Sequence, residues 1–161
     1  MALNVATLPI TVGVGAVMEH GGGLLVVKRT YGSIKGLWSI PSGYVEPHES
    51  ILMTLEREIQ EETGIVGRAG GLLGVRNRVT QDVNDTFLIF RMEYVSGEPH
   101  PDAQEVSAAA FVPTGELMTS PESAPFTRAA IEKFLRADGM RLDPYLPPSP
   151  LKSGEFYLLF R

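Results

Sequence analysis

The sequence predicts an α/β fold, a mixed β-sheet with a helix on each side, and three observations lead there. Short apolar runs bounded by Gly, Pro and Asn/Asp clusters recur from Thr11 to Val112, as strands do. Two segments carry helical apolar spacing, one beginning near Glu49 or Ser50 and one over Phe126–Ala137. These helices do not alternate regularly with the strands, which argues for a mixed sheet rather than a wound parallel one.

The elements follow in order. Thr11–Met18 reads as a strand, with Gly13 and Gly15 allowing close backbone approach. His20–Gly23 is a turn, and Leu24–Arg29 completes a hairpin. After a polar loop over Thr30–Gly36, Leu37–Pro41 is extended, because Pro41 disfavours helix at Ile40. The first helix follows Pro47 and stops at Gly64, a C-cap residue. Gly67–Gly71 is expected to be a loop. Leu72–Thr80 and Thr86–Val95 are expected strands joined by the turn-rich Gln81–Asp85, and Gly97–Ala103 is a further loop. Glu105–Val112 leads into another strand, and Glu116-Leu117 begins a weak helical turn. The Phe126–Ala137 helix turns Ile131, Phe134 and Leu135 inward. The tail changes character: Asp143–Pro150 is proline-rich and non-helical, while Glu155–Phe160 could pair as an edge strand. The expected organisation is therefore one domain over 1–142 and a tail over 143–161 packed on it or pairing with it.

Composition narrows the function classes. With 161 residues and a 43% hydrophobic fraction, the chain can bury a sizeable core. Fourteen basic residues against nineteen acidic ones give a net charge of −5, without the basic patch a nucleic-acid surface needs. There is no cysteine, so neither disulfide nor thiolate chemistry is available. The N-terminus lacks a basic region before its apolar residues, and no run reaches a membrane span, so a cytoplasmic protein without membrane contact is expected.

Glu58, Glu61 and Glu62 carry the chemistry. On a helix their spacing gathers them on one side. At about 100° per residue, Ile51, Leu52, Leu55 and Ile59 form an apolar stripe, and Glu62 projects almost into it. A half-buried carboxylate is expensive unless paired or metal-bound. Arg57 reaches Glu61 at i+4 and offsets one charge. Gly64 places the acids in the last turn, where the helix dipole opposes negative charge. An acidic face merely solvated by water is the competing reading, but a hard cation such as Mg²⁺ or Mn²⁺ suits the oxygen donors better.

The stretch Gly43–Ile65 resembles the Nudix box, G-x5-E-x7-R-E-(aliphatic)-x-E-E-x-G-(aliphatic). Gly43, Glu49, Arg57, Glu58, Ile59, Glu61, Glu62, Gly64 and Ile65 fill every defined position. The surrounding strand pattern resembles the family from about Thr11 to Leu117. Two undefined positions depart from common usage. Ser42 replaces a frequent Gly, and His48 stands where Gly often precedes the first box Glu; His48 reads as a solvent-exposed loop residue rather than a ligand.

The resemblance implies an α/β/α sandwich and hydrolysis of a diphosphate linkage in a nucleoside diphosphate derivative: a nucleoside triphosphate, ADP-ribose or a nucleotide sugar. It implies Mg²⁺ or Mn²⁺ held by Glu58, Glu61, Glu62 and the Gly43 carbonyl. Arg57 would orient a carboxylate and Glu49 would hold the helix-side network. Glu58, Glu61 or the downstream Glu105 would serve as general base. Arg29 could face the phosphates. Arg76 and Arg78 share one strand face and could clamp them. Trp38, Tyr31, Phe87 and Phe111 are candidates for stacking a base, although most aromatics are core. The proline often found some fifteen residues past the box in ADP-ribose hydrolases is absent, with Thr80 and Gln81 in its place. The alternative function is a non-catalytic nucleotide sensor on the same fold, but such proteins often lose box carboxylates and this chain keeps them all. Family members are often dimers, which an apolar terminal strand could mediate.

Overall fold

The computed structural model describes residues 10–135, 139–144 and 157–160. Its strands are β1 (Ile10–Val17), β2 (Glu19–His20), β3 (Gly23–Arg29), β4 (Trp38–Ser39), β5 (Ser42–Tyr44), β6 (Val66–Val79), β7 (Asn84–Ser96), β8 (Val106–Pro113), β9 (Arg141–Pro144) and β10 (Tyr157–Phe160). Its helices are α1 (Ile51–Thr63), α2 (Thr114–Thr119) and α3 (Pro125–Phe134). One sheet runs β5-β1-β7-β6, with β1 and β7 parallel and the outer pairs antiparallel, so the sheet is mixed as expected. A second sheet is built on β3, which pairs antiparallel with β2, β4 and β8.

Strand alternation distributes the core to two faces. Val14, Ala16, Met18, Leu25, Phe90 and Met92 meet Leu55 and Ile59 of α1 on one face. Val17, Leu24, Val26 and Ile89 meet Leu117 of α2 and Ile131 of α3 on the other. The molecule is thus an α/β/α sandwich. Burial of Leu55 and Ile59, both 0% exposed, holds α1 to the sheets at about 1.5–3 kcal/mol each.

Several expectations change. Gly67–Gly71 is not a loop but the first half of β6, which is bulged where its register against β7 shifts between Val66/Gly67, Ala69/Leu72 and Leu72/Gly74. The glycines serve close packing: a Cβ on Gly70 would lie 2.9 Å from the Arg91 carbonyl oxygen. Asn84 and Asp85, expected in a turn, already pair in β7. His20, expected in a turn, pairs with Gly23 in a two-residue strand. The weak turn at Glu116-Leu117 is a short helix, so α1 is opposed by two helices rather than one. Residue Ala137, the expected end of the second helix, lies outside the described residues, and α3 ends at Phe134. The expected boundary between residues 142 and 143 falls inside β9, which pairs antiparallel with β10. Residue Met140, just before β9, bridges to Leu72 of β6 through two 2.8 Å backbone hydrogen bonds.

Candidate active site

Helix α1 positions the acids. Ser50 caps its start, the Oγ accepting from Met53 N at 3.2 Å, and Gly64 ends it at φ 71°, a left-handed value that suits glycine. No basic residue lies in the last turn to balance Glu61 and Glu62. The three carboxylates have different surroundings. Glu62 is 2% exposed, the Glu58 side chain is half-buried, and the Glu61 side chain is 61% exposed.

Arg57 organises the outer pair. Its Nε and Nη2 donate to Glu49 Oε1 and Oε2 at 2.7 and 2.8 Å, and its Nη1 donates to Glu58 Oε1 and Glu61 Oε2, both at 3.0 Å. Thr54 Oγ1 also donates to Glu49, at 2.9 Å. Hydrogen bonds from Arg57 and Thr54 hold the Glu49 carboxyl below its ordinary pKa, and the hydrogen bond to Glu49 leads in raising that of Arg57. Burial pushes the Glu58 carboxyl up, with Arg57 opposing. The Glu58 carboxylate packs directly on Gly43 of β5.

Glu62 pairs elsewhere. Arg29, at the end of β3 and 7% exposed, grips it with both terminal nitrogens, Nη1 on Oε1 and Nη2 on Oε2. Arg29 Nη2 also donates to the Ser42 carbonyl at 2.7 Å and to Ser42 Oγ at 2.9 Å, while Ser42 N donates to Glu62 Oε2 at 3.1 Å. Burial pushes the Glu62 carboxyl up to about 7, with Arg29 pulling the other way. Burial also opposes the charge on Arg29, yet Glu62 leaves its pKa above the ordinary value. The two halves of the pair thus lean in different directions. The two-pronged geometry needs both charges, so we take it as an ion pair in which the carboxylate is the half more easily neutralised.

Arg29, Ser42, Gly43, Arg57, Glu58, Glu61 and Glu62 line a cavity of about 820 Å³. Arg76 and Arg78 of β6, Asp85 and Phe87 of β7, and Phe126 and Thr127 of α3 line the same cavity. The two arginines do share a strand face, but they are not equivalent. Arg78 is exposed, whereas Arg76 pairs through Nη2 with the buried Asp85 and lies over the rings of Phe87 and Phe126, at 4.9 and 5.5 Å. Thr11 Oγ1 donates to the other Asp85 oxygen at 2.7 Å. Phe87 reaches the cavity because Gly13 and Gly15 leave room behind it: a Cβ on either would lie within 2.7 Å of its ring. Glu105 lines the cavity rim and accepts from Tyr31 Oη at 3.2 Å. Its loop is anchored by Asp102 Oδ1, which accepts from the backbone N–H groups of Gln104, Glu105 and Val106 at 2.9–3.0 Å.

Of the four aromatic candidates, Tyr31 and Phe87 line the cavity. Trp38 packs under Lys28, and Phe111 packs beside Tyr94 and His20, both away from it. His48 is exposed and sits at φ 75°, a left-handed value that favours glycine.

The donor chemistry fits a hard divalent cation: carboxylate oxygens of α1 and a backbone carbonyl on β5 whose lack of a Cβ lets Glu58 pack against it. The expected convergence is not complete. Among the described residues no three acidic or histidine side chains are gathered at metal-holding distance; Glu58 and Glu61 pair with Arg57, and Glu62 pairs with Arg29.

A family model for the NUDIX domain matches residues 9–134. The chain belongs to the Nudix family. Among Nudix relatives, Nudix hydrolase 8 of Arabidopsis thaliana is 33% identical over 115 residues, 68% of this chain and 31% of its own length. An ADP-ribose pyrophosphatase of Methanocaldococcus jannaschii is 32% identical over 89 residues, 54% of this chain and 53% of its own. The chain therefore spans about half or less of these curated Nudix relatives. A crystallised MutT Nudix hydrolase from Burkholderia pseudomallei superposes with a TM-score of 0.68 at 26% identity, over 78% of this chain and 98% of that one.

Sequence reasoning missed the Arg29–Glu62 pair, the Arg76–Asp85 pair and the cavity position of Phe126. Asp85 carried a signal: an acid sharing a strand face with Phe87 and Ile89. Arg29 and Glu62 are 33 residues apart, with no local spacing to relate them.

Proposed function

We propose that this chain is a Mg²⁺- or Mn²⁺-dependent pyrophosphohydrolase acting on a nucleoside diphosphate derivative. The observation that carries the reading is the half-buried Glu58 carboxylate, packed on Gly43 and lining a cavity that also holds the cationic and aromatic side chains of Arg76, Arg78, Phe87 and Phe126.

Glu58, Glu61, Glu62 and the Gly43 carbonyl would hold the cation, which when bound polarises phosphoryl oxygens and acidifies water. Arg57 orients Glu58 and Glu61 and opposes the burial that favours the neutral Glu58 carboxyl, and Glu49 fixes Arg57. Water attacks one phosphorus, the bridging P–O bond breaks, and a phosphate-type group leaves. Glu58, whose pKa burial raises, and Glu105, on its anchored loop, are the two groups suited to take the water proton. Phe87 and Phe126 offer a stacking surface for a base, and Arg78, the exposed arginine of the pair, offers charge to phosphate.

The test is a hydrolysis screen with Mg²⁺ or Mn²⁺ over nucleoside triphosphates, ADP-ribose, sugar nucleotides and dinucleoside polyphosphates. At least one class should be cleaved, and Glu58→Gln and Glu61→Gln should each lower its turnover, by about 100-fold or more for Glu58. Tight nucleotide binding without turnover would instead favour a nucleotide sensor.

A further inference from the structure

Arg29 occupies the Glu62 carboxylate from inside the protein. Two of the three donors on that carboxylate belong to one guanidinium, and the third is the backbone N–H of Ser42, the neighbour of Gly43. Both partners are almost fully buried. A buried carboxylate left ionised without a counter-charge is strongly unfavourable, so the charged form of Glu62 needs a cation beside it. Three of the roughly four lone-pair sites of the carboxylate are taken by N–H donors, two of them from the guanidinium, and a divalent cation binding both oxygens would compete for those sites and meet the guanidinium charge at short range. The two therefore cannot both be held fully by Glu62.

We propose that Arg29 is a resident counter-ion that a divalent cation displaces: loading exchanges the guanidinium on Glu62 for metal rather than adding metal to a vacant acid. The inference rests on Glu62 being a metal ligand, as in the proposed function. Ser42 makes the exchange local, since its carbonyl and Oγ anchor Arg29 Nη2 while its N–H holds Glu62 from the other side. When the guanidinium leaves, Glu62 keeps one donor and its place. Metal affinity is then the intrinsic affinity reduced by the fraction of molecules in which Arg29 holds the acid.

The experiment measures Mn²⁺ binding by the electron paramagnetic resonance signal of free Mn²⁺, with thermal melts run in EDTA and in Mn²⁺. Arg29→Met should bind Mn²⁺ about tenfold more tightly than the native protein. It should also melt lower in EDTA and recover more on Mn²⁺ addition. Should Arg29→Met fail to fold, Ser42→Ala loosens only the Oγ anchor of Arg29, and it should still tighten Mn²⁺ binding by a few-fold. Unchanged or weaker Mn²⁺ binding in a folded variant overturns the exchange. Glu62→Gln separates this from the underlying reading. If it leaves Mn²⁺ binding at the native level, Glu62 is not a ligand and the proposed metal site itself fails. If it weakens binding while the Arg29 and Ser42 variants do not strengthen it, only the exchange is wrong.

Discussion

The carboxylate of Glu58 packs so closely on Gly43 that a Cβ at residue 43 would lie 2.0 Å from Glu58 Cδ. Gly43 does not have a left-handed φ, so its missing side chain serves space rather than backbone freedom. Gly43→Ala should therefore move Glu58 without unfolding β5. We expect turnover to fall about 100-fold, as displacements of about an ångström do at catalytic groups, with a melting temperature within a few degrees of native. Full activity in this variant would show that the contact does not set the position of Glu58.

The Glu49–Arg57 fork makes a prediction about acid. Glu49 has a folded-state pKa below its ordinary value, so its contribution is present above the unfolded pKa of about 4.3 and is lost as pH falls through the folded pKa. Urea unfolding of native protein and Glu49→Gln should differ in stability at pH 7 and converge as the pH falls through the folded-state pKa of Glu49. A difference that stays constant across that range would mean that packing, not ionisation, accounts for the loss.

Phe126 tests the aromatic part of the cavity lining. Phe126→Leu keeps apolar bulk but removes the ring that meets Phe87 edge-on, with centroids 5.8 Å apart. For a purine substrate KM should rise about fivefold or more with kcat nearly unchanged, because stacking acts equally on ground and transition states. A loss confined to kcat would place Phe126 in the reaction rather than in binding.

Gly64 ends α1 with a left-handed backbone, and a Cβ there would also approach the Glu98 carbonyl oxygen to 3.2 Å. Gly64→Ala should destabilise the fold by about 1–2 kcal/mol, measurable by urea titration, and Gly64→Asn by less. Equal stability for the alanine variant would show that the helix end relaxes.

Much of the fold was legible because its signals are local. Apolar runs between turn residues located the principal strands, and an expected start near Glu49 or Ser50 and the Gly64 cap bracketed α1, with the apolar stripe of Leu55 and Ile59 between them. The glycines of β6 misled, since a run that looks like a loop was needed to let a bulged strand pass close to Arg91. In the site, the i+4 reach of Arg57 to Glu61 followed from helix spacing, and Glu62 leaned into the core as the helical wheel implied. The partner of Glu62 was not legible: Arg29 arrives on a different strand, and only the tertiary fold brings the two together. The same holds for Arg76 and Asp85, nine residues apart across the β6–β7 pairing.

The cavity lining comes from unlike stretches of chain. Gly43, Glu58, Glu61 and Glu62 lie within one continuous segment, whereas Arg76, Asp85, Phe87 and Phe126 are contributed by two strands and a helix further along. A lineage can inherit the first set whole and let the second drift one residue at a time. Diversification of ligand choice on this scaffold therefore requires no innovation in that segment, and a library confined to the second set is the shortest route to retargeting it.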